Sequence, residues 1–183
     1  IAFSSGMASA DSCMKLLSQG DHVVCCDDVY GGTARLFNNL MTNYGVEFTY
    51  VDSQAAENVE VAIRPETKMI WIETPTNPLL KVTDLEEVGK IARGNDLIFV
   101  VDSTFATPVF LRPLEYGADL VLHSTTKYLS GHNQIIGGVI VTNRTDLFDS
   151  LKYIQKSVGA VPSPFDSWLT IIGLKTLHLR MRR

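Results

Sequence analysis

The stretch Lys68-Met69-Ile70-Trp71-Ile72, followed after an amphipathic segment by Leu97-Ile98-Phe99-Val100-Val101, decides the fold. Both runs are too uniformly apolar for a strand with one face in water, so they read as central strands of a parallel sheet. Between them Leu85, Val88, Ile91 and Ala92 recur at helical spacing, giving one apolar stripe for the sheet. Asp84 stands at the N-cap with Glu87 three residues on, and Gly94 stands where a left-handed C-cap is expected. Working outward, similar short runs at 22–26, 46–51, 119–123 and 139–142 predict further strands. Helices are expected over 8–17, on Leu36, Phe37, Leu40, Met41 and Tyr44 with Gly45 as cap, and on Phe148, Leu151, Ile154 and Val158. A last helix carries Trp168, Leu169 and Ile172 after Val161-Pro162-Ser163-Pro164. The alternation predicts an α/β domain, a mainly parallel sheet sandwiched by helices.

Composition fits one folded domain: 183 residues, 45% hydrophobic and 20% charged, with no repeat or linker. Lys and Arg number 16 against 20 Asp and Glu, a net charge of −4, and the basic residues are scattered, so no nucleic-acid partner is expected. The apolar runs are far shorter than the roughly 20 residues of a spanning helix, and no membrane association or signal peptide is expected. Cys13, Cys25 and Cys26 form an odd set without ligand spacing, which favours buried, reduced thiols in a cytoplasmic protein. Cys25 and Cys26 are adjacent on a strand and point to opposite faces. His22, His123, His132 and His178 make no zinc pattern, so structural roles and no metal are expected. Walker and dinucleotide glycine motifs are absent from the sequence. A start on Ile1 and a stop in Arg180-Met181-Arg182-Arg183, straight after a helical pattern, suggest a piece of something longer.

Polar and small residues crowd the segments that follow predicted strands, where a parallel sheet presents its carboxyl ends to ligands. These segments are Asp27-Asp28-Val29-Tyr30-Gly31-Gly32-Thr33, Glu73-Thr74-Pro75-Thr76-Asn77-Pro78, Asp102-Ser103-Thr104 and Ser124-Thr125-Thr126-Lys127. Ser4-Ser5-Gly6-Met7 precedes the first helix, where exposed backbone N–H groups attract an anion. Asp102 can hold a ring nitrogen protonated, Tyr30 can stack on the ring, Gly6, Met7, Ser124 and Thr126 can bind a phosphate, and Lys127 can form an imine. That inventory describes pyridoxal 5'-phosphate, whose electron sink needs a Schiff-base lysine and a pyridinium partner from the protein. Taken singly, Asp102 reads as a cap or turn residue and Tyr30 as a packing aromatic; their joint occurrence changes the reading.

The segment Ser124-Thr125-Thr126-Lys127-Tyr128-Leu129-Ser130-Gly131-His132 resembles the lysine motif of the Cys/Met-metabolism family of pyridoxal-phosphate enzymes. Ser5-Gly6-Met7-Ala8, Asp28-Val29-Tyr30-Gly31-Gly32-Thr33, Glu73-Thr74-Pro75-Thr76-Asn77-Pro78, Val101-Asp102-Ser103-Thr104-Phe105 and Gly173-Leu174-Lys175-Thr176-Leu177 follow the family's order. With Gly159-Ala160-Val161-Pro162-Ser163-Pro164, they resemble most its cystathionine γ-lyase and γ-synthase branch. The resemblance implies the large cofactor domain of a fold-type I, aspartate-aminotransferase-like enzyme, incomplete over residues 1–183. The N-terminal segment that completes a neighbour's phosphate site and the C-terminal domain with the carboxylate-binding arginine lie outside this chain. It further implies Lys127 as Schiff-base lysine and proton carrier, Asp102 as pyridinium partner, and Tyr30 as stacking residue and acid. Gly6, Met7, Ser124 and Thr126 fall to the phosphate, Asn77 to the cofactor's phenolic oxygen and the substrate carboxylate, and Arg35 to the substrate.

The implied reaction is γ-elimination of cystathionine to cysteine, 2-oxobutanoate and ammonia, by a homo-oligomer of tetrameric type acting on a small amino acid. The alternatives are γ-replacement, as in a cystathionine γ-synthase or an O-acetylhomoserine sulfhydrylase, and a noncatalytic scaffold or binding protein on the same fold. Two positions bear on the subclass. Asn133-Gln134 stands where the family carries a carboxylate, and Gly32 stands where methionine γ-lyases carry Cys.

Overall fold

The computed structural model describes residues 1–182. Seven strands form one sheet: β1 (Ala2–Phe3), β2 (His22–Cys26), β3 (Glu47–Val51), β4 (Thr67–Glu73), β5 (Ile98–Asp102), β6 (Leu120–Ser124) and β7 (Gly138–Val141). Their order is β1-β7-β6-β5-β4-β2-β3, parallel from β3 through β6, with β7 and β1 antiparallel at one edge. Helices α1 (Gly6–Met14), α2 (Gly31–Arg35), α3 (Ala56–Val61), α4 (Leu85–Gly94), α5 (Thr107–Phe110), α6 (Thr145–Val158), α7 (Pro164–Leu174) and α8 (Leu177–Arg180) surround it. The α/β expectation and its mainly parallel sheet hold.

Burial follows the apolar runs. Every residue of β2 is buried, and Met69 to Ile72 and Phe99 to Val101 are 0% exposed, as strands covered on both faces require. Phe37 stacks on Phe48 at 4.7 Å and meets Trp71 edge-on at 5.2 Å, locking the segment after α2 against the sheet. His22, on β2, reaches both neighbouring strands, with Nδ1 2.8 Å from Thr67 and Nε2 2.9 Å from Thr49, in the structural role expected of it. No helix of the described residues is long and apolar enough to cross a membrane.

Local chemistry explains both the agreements and the differences. Asp84 accepts from the amides of Glu86 and Glu87, and Gly45 takes the left-handed cap at φ 79°, both as expected. Gly94 does not: α4 runs through it, Asn95 caps its own helix by donating to the Ile91 carbonyl at 2.8 Å, and Asp96 takes the left-handed turn at φ 54°. The 36–44 segment is helical but not regular α, being wider and π-helical over Leu36–Leu40 and tighter, 3₁₀, over Met41–Tyr44. The changed pitch keeps Leu36, Phe37 and Met41 inside and rotates Leu40 and Tyr44 out. On α6 the buried line is Leu147, Leu151 and Gln155, one residue round from the expected stripe, and Phe148 and Val158 are exposed.

Candidate active site

Parallel strands end on the same side of a sheet, and here the order reverses between β2 and β4, the crevice where such folds bind ligands. A cavity of about 220 Å³ opens on that side, beside the reversal and over the ends of β4, β5 and β6, closed by the start of α1 and the Tyr30 loop after β2. Gly6, Met7, Tyr30, Asn77, Asp102, Ser124, Thr126 and Lys127 all line it. Arg35 does not; it is exposed on α2, with its guanidinium folded back towards Gly31. The Asn133-Gln134 departure falls on an exposed turn outside the lining, where Asn133 adopts φ 52°, a conformation asparagine tolerates.

The anion end is built from a helix start. Ser5 caps α1 by accepting from the Ala8 amide at 2.9 Å, which leaves the Gly6 and Met7 amides at the cavity without intrahelical partners. A Cβ on Gly6 would lie 2.9 Å from Ser124 Cβ, so only glycine lets the helix start close on the end of β6. Thr126 Oγ1 both accepts from the Gly137 amide at 3.0 Å and donates to its carbonyl at 3.2 Å. Its proton is therefore directed away from the cavity until the hydroxyl turns.

The opposite end carries two carboxyl groups. Asp102 and Glu73 are register partners at the ends of β5 and β4, and both are buried. Asp102 Oδ1 takes two donors from Thr104, the amide at 3.0 Å and the hydroxyl at 2.5 Å, and Thr104 Oγ1 in turn accepts from the Ser124 amide at 2.9 Å. Thr104 thus ties the acidic end to the anion end. Glu73 accepts from the Tyr30 amide at 2.8 Å and the Asn77 amide at 2.9 Å, holding both loops to the sheet. Thr76 and the Leu79 amide, through Asp28, add a second tie between the same loops.

Burial pushes the Asp102 carboxyl up to about 6 against the pull of Thr104. Glu73 is pushed up to about 8, first by burial and then by the negative charge of Asp102, with the two amides pulling the other way. Near neutrality the pair therefore carries close to one negative charge.

Glu73 makes a stability prediction. Its folded pKa lies above the ordinary 4.5 of the unfolded chain, so the folded form binds more protons between those values. The contribution of Glu73 to stability is then full below about 4.5 and is lost as pH rises through about 8. Melting of the cofactor-free protein from pH 5 to 8 is expected to show this decline, and Glu73→Gln to flatten it by on the order of 3 kcal/mol. Equal slopes for the two proteins would contradict the assignment.

Glu73, Thr104, Phe105 and Ile136 line the cavity without having been singled out from the sequence. Glu73 had a readable signal, a carboxylate ending an apolar strand just as Asp102 does. Tyr30 is 44% exposed and rests on Gly32, where a Cβ would lie 2.4 Å from the ring. Lys127 is exposed at the cavity, and its backbone at φ −90°, ψ −122° breaks the helical geometry around it. Among the described residues, its ammonium makes no hydrogen bond or ion pair. An amine, a buried carboxylate, an aromatic face and an amide-lined anion site in one cavity are the donor set that a phosphorylated pyridine aldehyde needs.

Comparison with known proteins agrees with this chemistry. The chain is 53% identical over 180 residues to the cystathionine gamma-lyase of Bacillus subtilis, covering 98% of the chain and 48% of that protein. It is 49% identical over 182 residues to a probable cystathionine gamma-synthase of Herpetosiphon aurantiacus, covering 100% of the chain and 57% of that protein. It is 50% identical over 184 residues to the cystathionine beta-lyase of Coxiella burnetii, covering 100% of the chain and 48% of that protein. The crystal structure of cystathionine gamma-lyase from Lactobacillus plantarum complexed with L-serine superimposes with a TM-score of 0.96 at 45% identity, over 98% of this chain and 47% of that one. The chain thus spans about half the length of the curated relatives it matches. The model of the Cys/Met metabolism PLP-dependent enzyme family matches residues 1–183. With the whole sequence matched, and with a cavity that has the chemistry for the cofactor, the chain belongs to the Cys/Met metabolism family of PLP-dependent enzymes.

Proposed function

We propose that residues 1–183 form the cofactor-binding part of a trans-sulfuration enzyme that cleaves the Cγ–S bond of cystathionine, giving cysteine, 2-oxobutanoate and ammonia. The observation that carries the reading is the convergence of Lys127, Asp102, Tyr30 and the start of α1 on one cavity. Relatives of similar identity bear the names of a γ-lyase, a γ-synthase and a β-lyase, so choosing γ-elimination among them is our reading. The B. subtilis γ-lyase, at 53% identity, supports it.

Bound pyridoxal phosphate supplies an aldehyde for attachment and an electron sink for charge developing at the substrate's α-carbon. Lys127 Nζ would provide the point of attachment and, when free, the base that takes the α-proton. Asp102 accepts the hydrogen bond of the ring N–H and keeps that proton in place. The Gly6 and Met7 amides and the Ser124 hydroxyl hold the phosphate, joined by Thr126 once its hydroxyl turns from Gly137. Asn77 holds the phenolic oxygen and the substrate carboxylate with a side-chain amide that has no hydrogen-bond partner among the described residues. Tyr30 provides the stacking face and a proton for the departing sulfur. Arg35, outside the lining, has no part in this scheme.

We place the enzyme in the cytoplasm as a homo-oligomer. Three buried free thiols suit a reducing compartment, and Phe165, Trp168 and Ile171 on α7 leave more than half of their surface open to a neighbouring subunit. The deciding assay gives cystathionine to the cofactor-loaded protein. Cysteine and 2-oxobutanoate in equal amounts are expected. Homocysteine and pyruvate would move the cleavage to Cβ, and cystathionine made from an O-acylated homoserine and cysteine, without its breakdown, would make the protein a γ-replacement enzyme. Cofactor uptake without turnover of either substrate would favour a noncatalytic role.

A further inference from the structure

The segment Gly173-Leu174-Lys175-Thr176-Leu177 lines no part of the cavity, yet the structure sets it against the loop that carries Lys127. Gly173, buried on α7, abuts the Ser130 backbone so closely that a Cβ would lie 2.1 Å from the Ser130 carbonyl oxygen. Past α7 the chain turns through Thr176 into α8, and Arg180 reaches back. Its Nη1 donates to the Tyr128 carbonyl at 2.7 Å, its Nη2 to the Gly173 carbonyl at 2.8 Å and its Nε to Thr176 Oγ1 at 3.1 Å. The guanidinium lies across Gly131, where a Cβ would stand 2.1 Å from Nη1, and Gly131 has φ 74°. No carboxylate pairs with Arg180 among the described residues; all three acceptors are neutral. Its part is geometric, a planar fork of donors joining the loop to the end of α7.

The position of this fork gives it a consequence for Lys127. The lysine sits off helical geometry, and its loop returns on itself through Gly131 N–H to the Lys127 carbonyl at 2.8 Å and Ser130 N–H to the Thr125 carbonyl at 3.0 Å. Those bonds fix the loop's own shape. The Arg180 fork and the Gly173 contact tie the stretch that follows Lys127, at the Tyr128 carbonyl and the Ser130 backbone, to the end of α7. Resting on the reading of Lys127 as the attachment point, we propose that Arg180, with Thr176 and Gly173, is a positioning residue that sets the direction in which the Lys127 side chain enters the cavity.

The test uses Arg180→Lys and Thr176→Val in the cofactor-loaded protein, with amide exchange measured on the cofactor-free form. Lysine keeps the charge and loses the fork, and valine removes the Nε acceptor together with the hydroxyl's own bond to the Gly173 carbonyl. In Arg180→Lys the pH midpoint of the lysine–cofactor absorbance band is expected to move by about half a unit or more. Its kcat is expected to fall on the order of 10- to 100-fold while KM stays within about threefold. The Ser130 and Gly131 amides are expected to exchange roughly 10-fold faster without cofactor. Thr176→Val is expected to move the same readouts the same way by less, and it carries the test if Arg180→Lys does not fold. Unchanged band midpoint and exchange in a folded variant would overturn the proposal. A wild-type protein with no Lys127-dependent band would instead fail the cofactor reading, while exchange in the cofactor-free protein would still decide the clamp.

Discussion

Lys127→Ala is expected to abolish the visible absorbance band of the loaded protein and to lower turnover on the order of 10⁴-fold or more. One amine is asked to do two things, to bond the cofactor and then to carry the substrate's α-proton, and alanine removes both. The structure leaves the amine available for this. Lys127 lines the cavity, and no acidic side chain among the described residues holds its ammonium. Lys127→Arg separates the chemistry from the charge: a guanidinium restores the positive end but remains protonated at any working pH and cannot attach. The arginine protein is therefore expected to bind the phosphate end without the covalent band, and to be as slow as the alanine protein. A band retained in Lys127→Ala, or activity recovered in Lys127→Arg, would remove Lys127 from the centre of the reaction.

Strand ends were the legible part of this site. Asp102 directly follows an uninterrupted apolar run, Lys127 comes three hydroxyl residues after a buried strand, and a run buried on both faces has few other ways to read, so the step from strand to cavity was short. What the sequence concealed depends on pairings between distant segments. Glu73 is important because register places it beside Asp102, and register between β4 and β5 is set across a whole crossover rather than by neighbours in sequence. Thr104 reads as an ordinary turn residue until its hydroxyl is seen joining Asp102 to the Ser124 amide. The two-residue β1 carries no periodicity and exists only because β7 pairs with it. The 36–44 segment misled in another way: its apolar spacing suited an ordinary helix, whereas the chain is π-helical and then 3₁₀ there, with Phe37 packed on Phe48 and Trp71. Gly173 belongs to a motif visible in the sequence and Arg180 does not, and the contact of both with the lysine loop spans more than forty residues and required coordinates.

Asp102→Asn is expected to lower turnover about 10²- to 10⁴-fold while leaving the protein folded and Lys127 still able to attach the cofactor. Asparagine preserves shape and the acceptor that Thr104 uses, and it replaces the second, charged acceptor with an NH2 donor. That charge has an unusual setting. Oδ1 is committed to two donors from Thr104, which leaves Oδ2 for a ring N–H. Burial already pushes the carboxyl up to about 6, so without a cationic partner it is a reluctant anion. A protonated ring nitrogen would pull that value back down, and by reciprocity the carboxylate raises the nitrogen's own affinity for its proton by the same factor. Glu73 sharpens the match. Held to about 8 by burial and by Asp102, it stays largely neutral at pH 7, so the acidic end presents a single negative charge to a single N–H. The sign of the pH dependence follows. In the wild-type protein, cofactor affinity should weaken as pH falls below about 6, where Asp102 takes up a proton. Asp102→Asn should bind more weakly throughout and lose that acid limb. An acid limb that survives in Asp102→Asn would assign the titration to another group, and undiminished turnover in the variant would mean that the ring proton is not held from this strand end.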